Sequence, residues 1–75
     1  MPKLPRISAV RVLYALKRVG FYEYFQSGSH IQLRHKEKAA LRVTVPFHQK
    51  DLAPKPLKSI ITQVGLTIEE FIELI

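Results

Sequence analysis

The sequence has no cysteine, and it has no long apolar run. Without cysteine it can form neither a disulfide nor a thiolate metal site, and its three histidines match no zinc-binding spacing, so we expect no metal and no cofactor. No apolar stretch approaches the roughly 20 residues that cross a bilayer, and the start of the chain lacks the apolar core of a signal peptide. We therefore expect a cytoplasmic protein with no membrane partner and no small-molecule ligand.

Acidic residues are also scarce, since six of them stand against twelve lysines and arginines, for a net charge of +6. Most of the acids lie in the last third of the chain, so the positive charge is concentrated in the first fifty residues. This distribution favours an anionic partner, either nucleic acid or an acidic protein, although a merely solvated basic surface is the alternative. The 75 residues allow one small domain, residues 1–75, of the marginal stability that makes dependence on a partner plausible.

Apolar periodicity predicts a first helix over residues 9–19, capped by Ser8 and ended by Gly20, with Val10, Leu13 and Leu16 along its apolar spacing. Three strands are predicted next, over residues 21–26, 30–35 and 41–45, with Pro46 ending the third. Strict alternation in the second and third strands separates an apolar side from a polar one. The polar side carries His30, Gln32, Arg34, Arg42 and Thr44.

The longest irregular stretch, residues 47–56, precedes a second helix with Pro56 at its first position and Gly65 at its end. Thr67 and Glu70 form a capping box for a short final helix. The predicted fold is therefore α+β: a two-layer sandwich of order α-β-β-β-α, with a three-stranded antiparallel sheet, helices on one face and a short C-terminal helix. The predicted core consists of Leu13, Leu16, Ile31, Leu33, Val43, Val45, Ile60, Ile61 and Val64.

The sequence resembles the HicA, or YcfA-like, toxin family over nearly the whole chain. The segments that carry the resemblance are Val19-Gly20-Phe21, Gly28-Ser29-His30, Val45-Pro46-Phe47-His48 and the tail from Leu57 to Phe71. The resemblance implies a fold similar to the double-stranded-RNA-binding domain, an mRNA endonuclease activity, a catalytic histidine at His30 and a HicB-type antitoxin that covers the His30 face. The chain departs from the family pattern at Lys55-Pro56, where Gly-Thr is usual, and at Lys38-Ala39-Ala40, where a glycine-containing turn is frequent.

These expectations lead to a hypothesis of metal-independent RNA cleavage. His30 acts as general base or acid, Arg34 and Arg42 hold the phosphate, and Ser29 or Gln32 orients a substrate oxygen. Lys36 and Lys50 belong to the same basic segment and are further candidates for RNA contact.

The histidines and the tyrosines of the first strand also have purely structural interpretations. His30 after Gly-Ser can cap a turn, and His35 is predicted to be a strand-end histidine satisfied by a backbone group. His48 is either a contact within its loop or with the second helix, or the partner acid for His30. Tyr22 and Tyr24 can stack on bases, but aromatic residues in a first strand more often complete a core or a partner interface.

Two other functions remain open from the sequence. One is a non-catalytic RNA-binding module, which grips RNA by shape and phosphate contacts. The other is an interaction protein whose basic face serves an acidic partner.

Overall fold

The computed structural model describes residues 6–47 and 51–75. In chain order they form β1 (Ile7–Ser8), α1 (Ala9–Arg18), β2 (Phe21–Ser27), β3 (His30–His35), β4 (Arg42–Pro46), β5 (Asp51–Leu52), α2 (Pro54–Gln63) and α3 (Ile68–Leu74). The predicted order α-β-β-β-α with a short last helix is confirmed. Within the described ranges no helix is both long and apolar enough to cross a membrane.

Strand β3 is the centre of an antiparallel sheet of order β2-β3-β4. Its apolar residues lie opposite those of β4, with Ile31 facing Val45 and Leu33 facing Val43, and all four are buried. The predicted alternation is therefore correct. Three strand boundaries were wrong by one residue: β2 continues to Ser27, and β4 starts at Arg42 and continues to Pro46. Pro46 lies opposite His30 in the ladder.

Proline is tolerated at this position because the pair it forms with His30 needs no N–H from it. The ladder bond at this end of the sheet is donated by the next residue, Phe47, whose backbone nitrogen lies 2.5 Å from the Ser29 carbonyl oxygen. His30 and Pro46 are thus a non-hydrogen-bonded pair, the type in which facing side chains approach more closely.

The pairing of β2 with β3 contains a bulge. The register steps from Glu23 opposite Leu33 to Phe25 opposite Gln32, which leaves Tyr24 as the extra residue. In a regular strand Phe25 would share a side with Glu23, whereas the bulge sets it opposite the exposed Gln32. The bulge therefore turns Phe25 away from the core.

The helices cover the side of the sheet that carries the buried residues of β3 and β4. In α1 the buried stripe runs through Ala9, Val12, Leu13 and Leu16, at the i, i+3, i+4, i+7 spacing of one helical face. The placement of Val10 on this stripe was wrong, because that residue lies one helical position away from it and is 60% exposed. All nine residues of the predicted core are buried.

Helix α2 starts at Pro54, with Ala53 as N-cap, and not at Pro56 as predicted. Both prolines fit this start because the first turn of a helix has no intrahelical use for their missing N–H groups. In α3 the predicted capping box is present: the Thr67 hydroxyl accepts from the Glu70 N–H, and the Glu70 carboxylate accepts from the Thr67 N–H. Phe71 from α3 is fully buried.

The segment predicted to be irregular contains strand β5. Ile7 pairs with Leu52 and Ser8 with Asp51, so β1 and β5 form a separate two-stranded ribbon. Ile7 and Leu52 are both buried in the common core. Helix α1 starts directly after β1, and helix α2 starts two residues after the end of β5.

Candidate functional site

The polar residues grouped by the sequence pattern do share one surface. We call the side of β2, β3 and β4 that faces away from the helices the outer face. Register places Gln32 opposite Thr44 and Arg34 opposite Arg42, and directly opposite residues point to the same side of a sheet. His30 lies on the same face at the first position of β3, so five polar side chains are aligned along two neighbouring strands.

The backbone around His30 is held firmly by the hairpin that precedes it. Gly28 adopts a φ of +57° and is the one loop residue of the two with a positive φ, which is the signature of a type II′ turn. A side chain at position 28 would be strained in this conformation. The half-buried Ser29 is fixed on its other side by the bond from Phe47.

The imidazole of His30 is exposed between Ser27 of β2 and Pro46 of β4. Within residues 6–47 and 51–75 its ring makes no hydrogen bond, so the turn-capping interpretation finds no support in the described contacts. An exposed ring on a rigid strand is available to a ligand that approaches the outer face.

The other candidate residues of β3 and the turn after it lie at increasing distances from His30. A strand rises about 3.3 Å per residue, so Gln32 is about 7 Å from His30 along β3, and Arg34 is about 13 Å away. Lys36 lies beyond the far end of the strand, about 20 Å from His30, and its N–H donates to the Gly20 carbonyl at 3.0 Å. The structure therefore does not bring Lys36 to His30. Lys50 and His48 lie outside the described residues.

Arg34 is held by an aromatic ring. Its guanidinium carbon lies 3.8 Å from the centroid of the Tyr24 ring, which is cation–π contact distance. Tyr22, Tyr24 and Phe25 are 45%, 52% and 54% exposed, so none of the three completes the core. The core position in β2 is taken by Phe21, which is buried. Phe25 was not a candidate from the sequence, because no residue pattern announces the bulge that exposes it.

His35 has the structural role that its position predicted. Its Nε2 lies 2.8 Å from the Val19 carbonyl oxygen, and its Nδ1 accepts the N–H groups of Glu37 at 3.1 Å and Lys38 at 3.0 Å. These partners fit the neutral ring with its proton on Nε2. The ring also packs edge-on against Phe21, with centroids 5.0 Å apart. His35 thus joins the end of α1, the start of β2 and the turn after β3.

The basic residues of α1 are occupied mainly by their own chain. Lys17 Nζ is 2.5 Å from a carboxylate oxygen of Glu23. The Arg18 guanidinium donates to the Leu74 carbonyl at 3.4 Å and lies 5.9 Å from the Tyr14 ring centroid. These contacts agree better with a solvated face of α1 than with a dedicated phosphate site.

Comparison with known proteins places this fold in a family. No curated protein matches the chain. The family model described as the HicA toxin of bacterial toxin–antitoxin systems matches residues 10–66, which include most of α1, the whole three-stranded sheet and α2. Because the match covers well over half of the chain, the protein belongs to the HicA family, the toxins of bacterial toxin–antitoxin pairs.

Proposed function

We propose that this toxin is an endoribonuclease that cleaves mRNA in the cytoplasm by metal-independent acid–base chemistry at His30. Residues 1–75 act as one toxin domain, and a HicB-type antitoxin inhibits it by covering the outer face. The observation that carries the proposal is the position of His30, exposed at the head of the central strand and on the same face as two arginines. Family membership supports it, because a toxin of this kind has a cognate antitoxin.

RNA contains its own nucleophile, so a small protein without a cofactor can cleave it. The 2′-oxygen attacks the adjacent phosphorus, the bond from phosphorus to the 5′-oxygen breaks, and a 2′,3′-cyclic phosphate and a 5′-hydroxyl result. One proton must leave the 2′-hydroxyl and one must reach the departing oxygen. An imidazole suits either transfer because it exchanges a proton near neutral pH.

The distances along β3 assign different roles to its neighbours. Gln32 and Ser29 are close enough to His30 to orient an oxygen of the nucleotide being cut. Arg34 and Arg42 lie too far along the strands for the same phosphate, so they bind phosphates farther along the RNA chain. Lys36 and Lys50 are proposed as peripheral RNA contacts, and His48 as the partner acid or base.

A non-catalytic RNA-binding module is the alternative function. The separation of the arginine pair from His30 favours it, because such a surface can hold a phosphate chain without cutting it. The two proposals differ in what His30 does. If the protein is a binding module, the wild type and a variant without the His30 imidazole both bind RNA, and neither cleaves it.

The decisive experiment incubates purified wild-type protein, His30→Ala and His30→Gln with a long single-stranded RNA in excess EDTA, followed by a denaturing gel. Loss of a general acid or base predicts a cleavage rate lower by a factor of about 10²–10⁴ in both variants. Circular dichroism controls for folding. Equal cleavage by all three proteins contradicts the role of His30, and intact RNA with a retained gel shift favours the binding module.

A further inference from the structure

We propose that the outer face binds unpaired RNA, with the base next to the scissile bond stacked on Phe25 and a further base stacked on Tyr22. This inference rests on the proposed function in that RNA is the ligand. It adds the substrate class, single-stranded rather than duplex RNA, and it assigns binding residues that the cleavage chemistry does not use.

The aromatic residues lie beside the candidate catalytic residue. Phe25 is directly opposite Gln32, and the diagonal neighbour of Phe25 on β3 is His30, at about 7–8 Å between the strands. Tyr22 is directly opposite Arg34 on the same face. A base stacked on Phe25 therefore brings the sugar and phosphate of its own nucleotide within reach of His30.

Nothing in residues 6–47 and 51–75 covers the rings of Phe25 and Tyr22. A regular strand would have turned Phe25 toward the helices, where an apolar ring gains burial, and the bulge instead leaves it 54% exposed. Tyr22 is 45% exposed. Exposed aromatic rings in a row on a sheet are the surface that proteins use to bind bases one after another.

The charge around the aromatic rings suits a phosphate chain. Glu23 is the sole acidic residue in β2, β3 and β4, three strands that lie wholly within the described residues, and it is paired with Lys17. The outer face carries Arg34 and Arg42, and Tyr24 holds the Arg34 guanidinium at the edge of the row. A polyanion with flat apolar rings fits this combination.

Base pairing removes the surface that this site needs. In a duplex each base is stacked on both sides by its neighbours, so a side chain cannot cover its face. Contacts of this kind therefore select RNA whose bases are unpaired, such as loops and unstructured message.

The test measures binding in the full chain carrying His30→Ala, so that the RNA stays intact. Fluorescence anisotropy at fixed salt compares three labelled probes of ten nucleotides: an unpaired RNA, a perfect RNA duplex and an abasic ribose-phosphate chain. Adding Phe25→Ala is expected to raise Kd for the unpaired RNA by a factor of about 5–150, the effect of losing one stacked base. Kd for the abasic chain stays unchanged, and Phe25→Trp restores binding.

Tyr14→Ala is the matched control, because Tyr14 is an exposed aromatic residue of α1, 63% accessible, on the helix side of the sheet and not on the outer face. It leaves all three Kd values unchanged. The inference is overturned if Phe25→Ala changes Kd for the unpaired RNA by less than twofold, or weakens binding of the abasic chain equally. In the first case the aromatic rings serve a protein partner.

The same samples separate this inference from the nuclease proposal. If cleavage depends on His30 but Phe25→Ala does not change Kd, base stacking is refuted and the nuclease proposal stands. A strong effect of Phe25→Ala on binding without cleavage by the wild type refutes the nuclease alone. If neither the wild type nor His30→Ala binds RNA, both are refuted.

Discussion

Replacing His35 by alanine should destabilise the protein far more than replacing His30, although both are strand residues of one sheet. His35 makes three contacts with backbone groups, through Nε2 to the Val19 carbonyl and through Nδ1 to the N–H groups of Glu37 and Lys38. Alanine removes all three and also the edge-on contact with Phe21. His30 makes no comparable contact in the described part of the chain.

The expected loss of stability follows from these contacts. The carbonyl of the half-buried Val19 loses its partner, which costs about 1–3 kcal/mol. The N–H groups of Glu37 and Lys38 belong to exposed residues, so water replaces the ring nitrogen at little cost. The aromatic contact with Phe21 adds about 0.5–1.5 kcal/mol. The free energy of unfolding should therefore fall by about 1.5–4.5 kcal/mol, and Tm by about 6–36 °C.

Urea unfolding followed by circular dichroism measures this difference in wild type, His35→Ala and His30→Ala. His30→Ala should stay within about 0.5 kcal/mol of wild type, as an exposed position does. If His35→Ala lies in that range too, the described role of His35 is wrong.

A double-mutant cycle with Gly20 sharpens the test. A Cβ at Gly20 would lie 2.7 Å from His35 Nε2, and the residue has a φ of +102°. Gly20→Ala should therefore cost more in the wild type than in His35→Ala, where the contact with Nε2 is gone and only the backbone strain remains. Equal costs in the two backgrounds would show that the ring does not approach Gly20 as described.

Two other substitutions test the packing and the last helix. Leu33→Ala should lower the free energy of unfolding by about 2–5 kcal/mol, because the side chain is 1% exposed, whereas Val10→Ala on the exposed side of α1 should be nearly neutral in the same urea titration. Thr67→Ala removes the hydroxyl of the capping box and should cost about 0.5–2 kcal/mol, seen as a lower Tm, while Thr67→Ser keeps the wild-type value.

The sequence predicted the sheet and its two faces because the relevant strands alternate without a break. In β3 and β4 every apolar residue is separated from the next by a polar one, and this period sets the side of each residue regardless of the loops. The grouping of His30, Gln32 and Arg34 follows from that parity alone. The backbone contacts of His35 were predicted for the same reason.

The features that the sequence did not predict depend on contacts between distant segments. The bulge at Tyr24 is a feature of the pairing between β2 and β3, and the aromatic run of β2 carries no alternation from which to detect it. Strand β5 has two residues and is stabilised by its pairing with β1, so the sequence of neither segment alone predicts a strand. The start of α2 was predicted two residues too late because Pro54 and Pro56 both satisfy the rule for a first turn.

The ribbon of β1 and β5 has a consequence for the order of folding. The hairpin of β2 and β3 closes through a two-residue turn, and β4 joins it through a short connection, so these pairs form between neighbours in sequence. The ribbon instead joins segments on either side of the whole three-stranded sheet, and closing such a loop costs more chain entropy. We expect Ile7 and Leu52 to have low φ-values in folding kinetics, so that substitutions there speed unfolding and leave the folding rate almost unchanged.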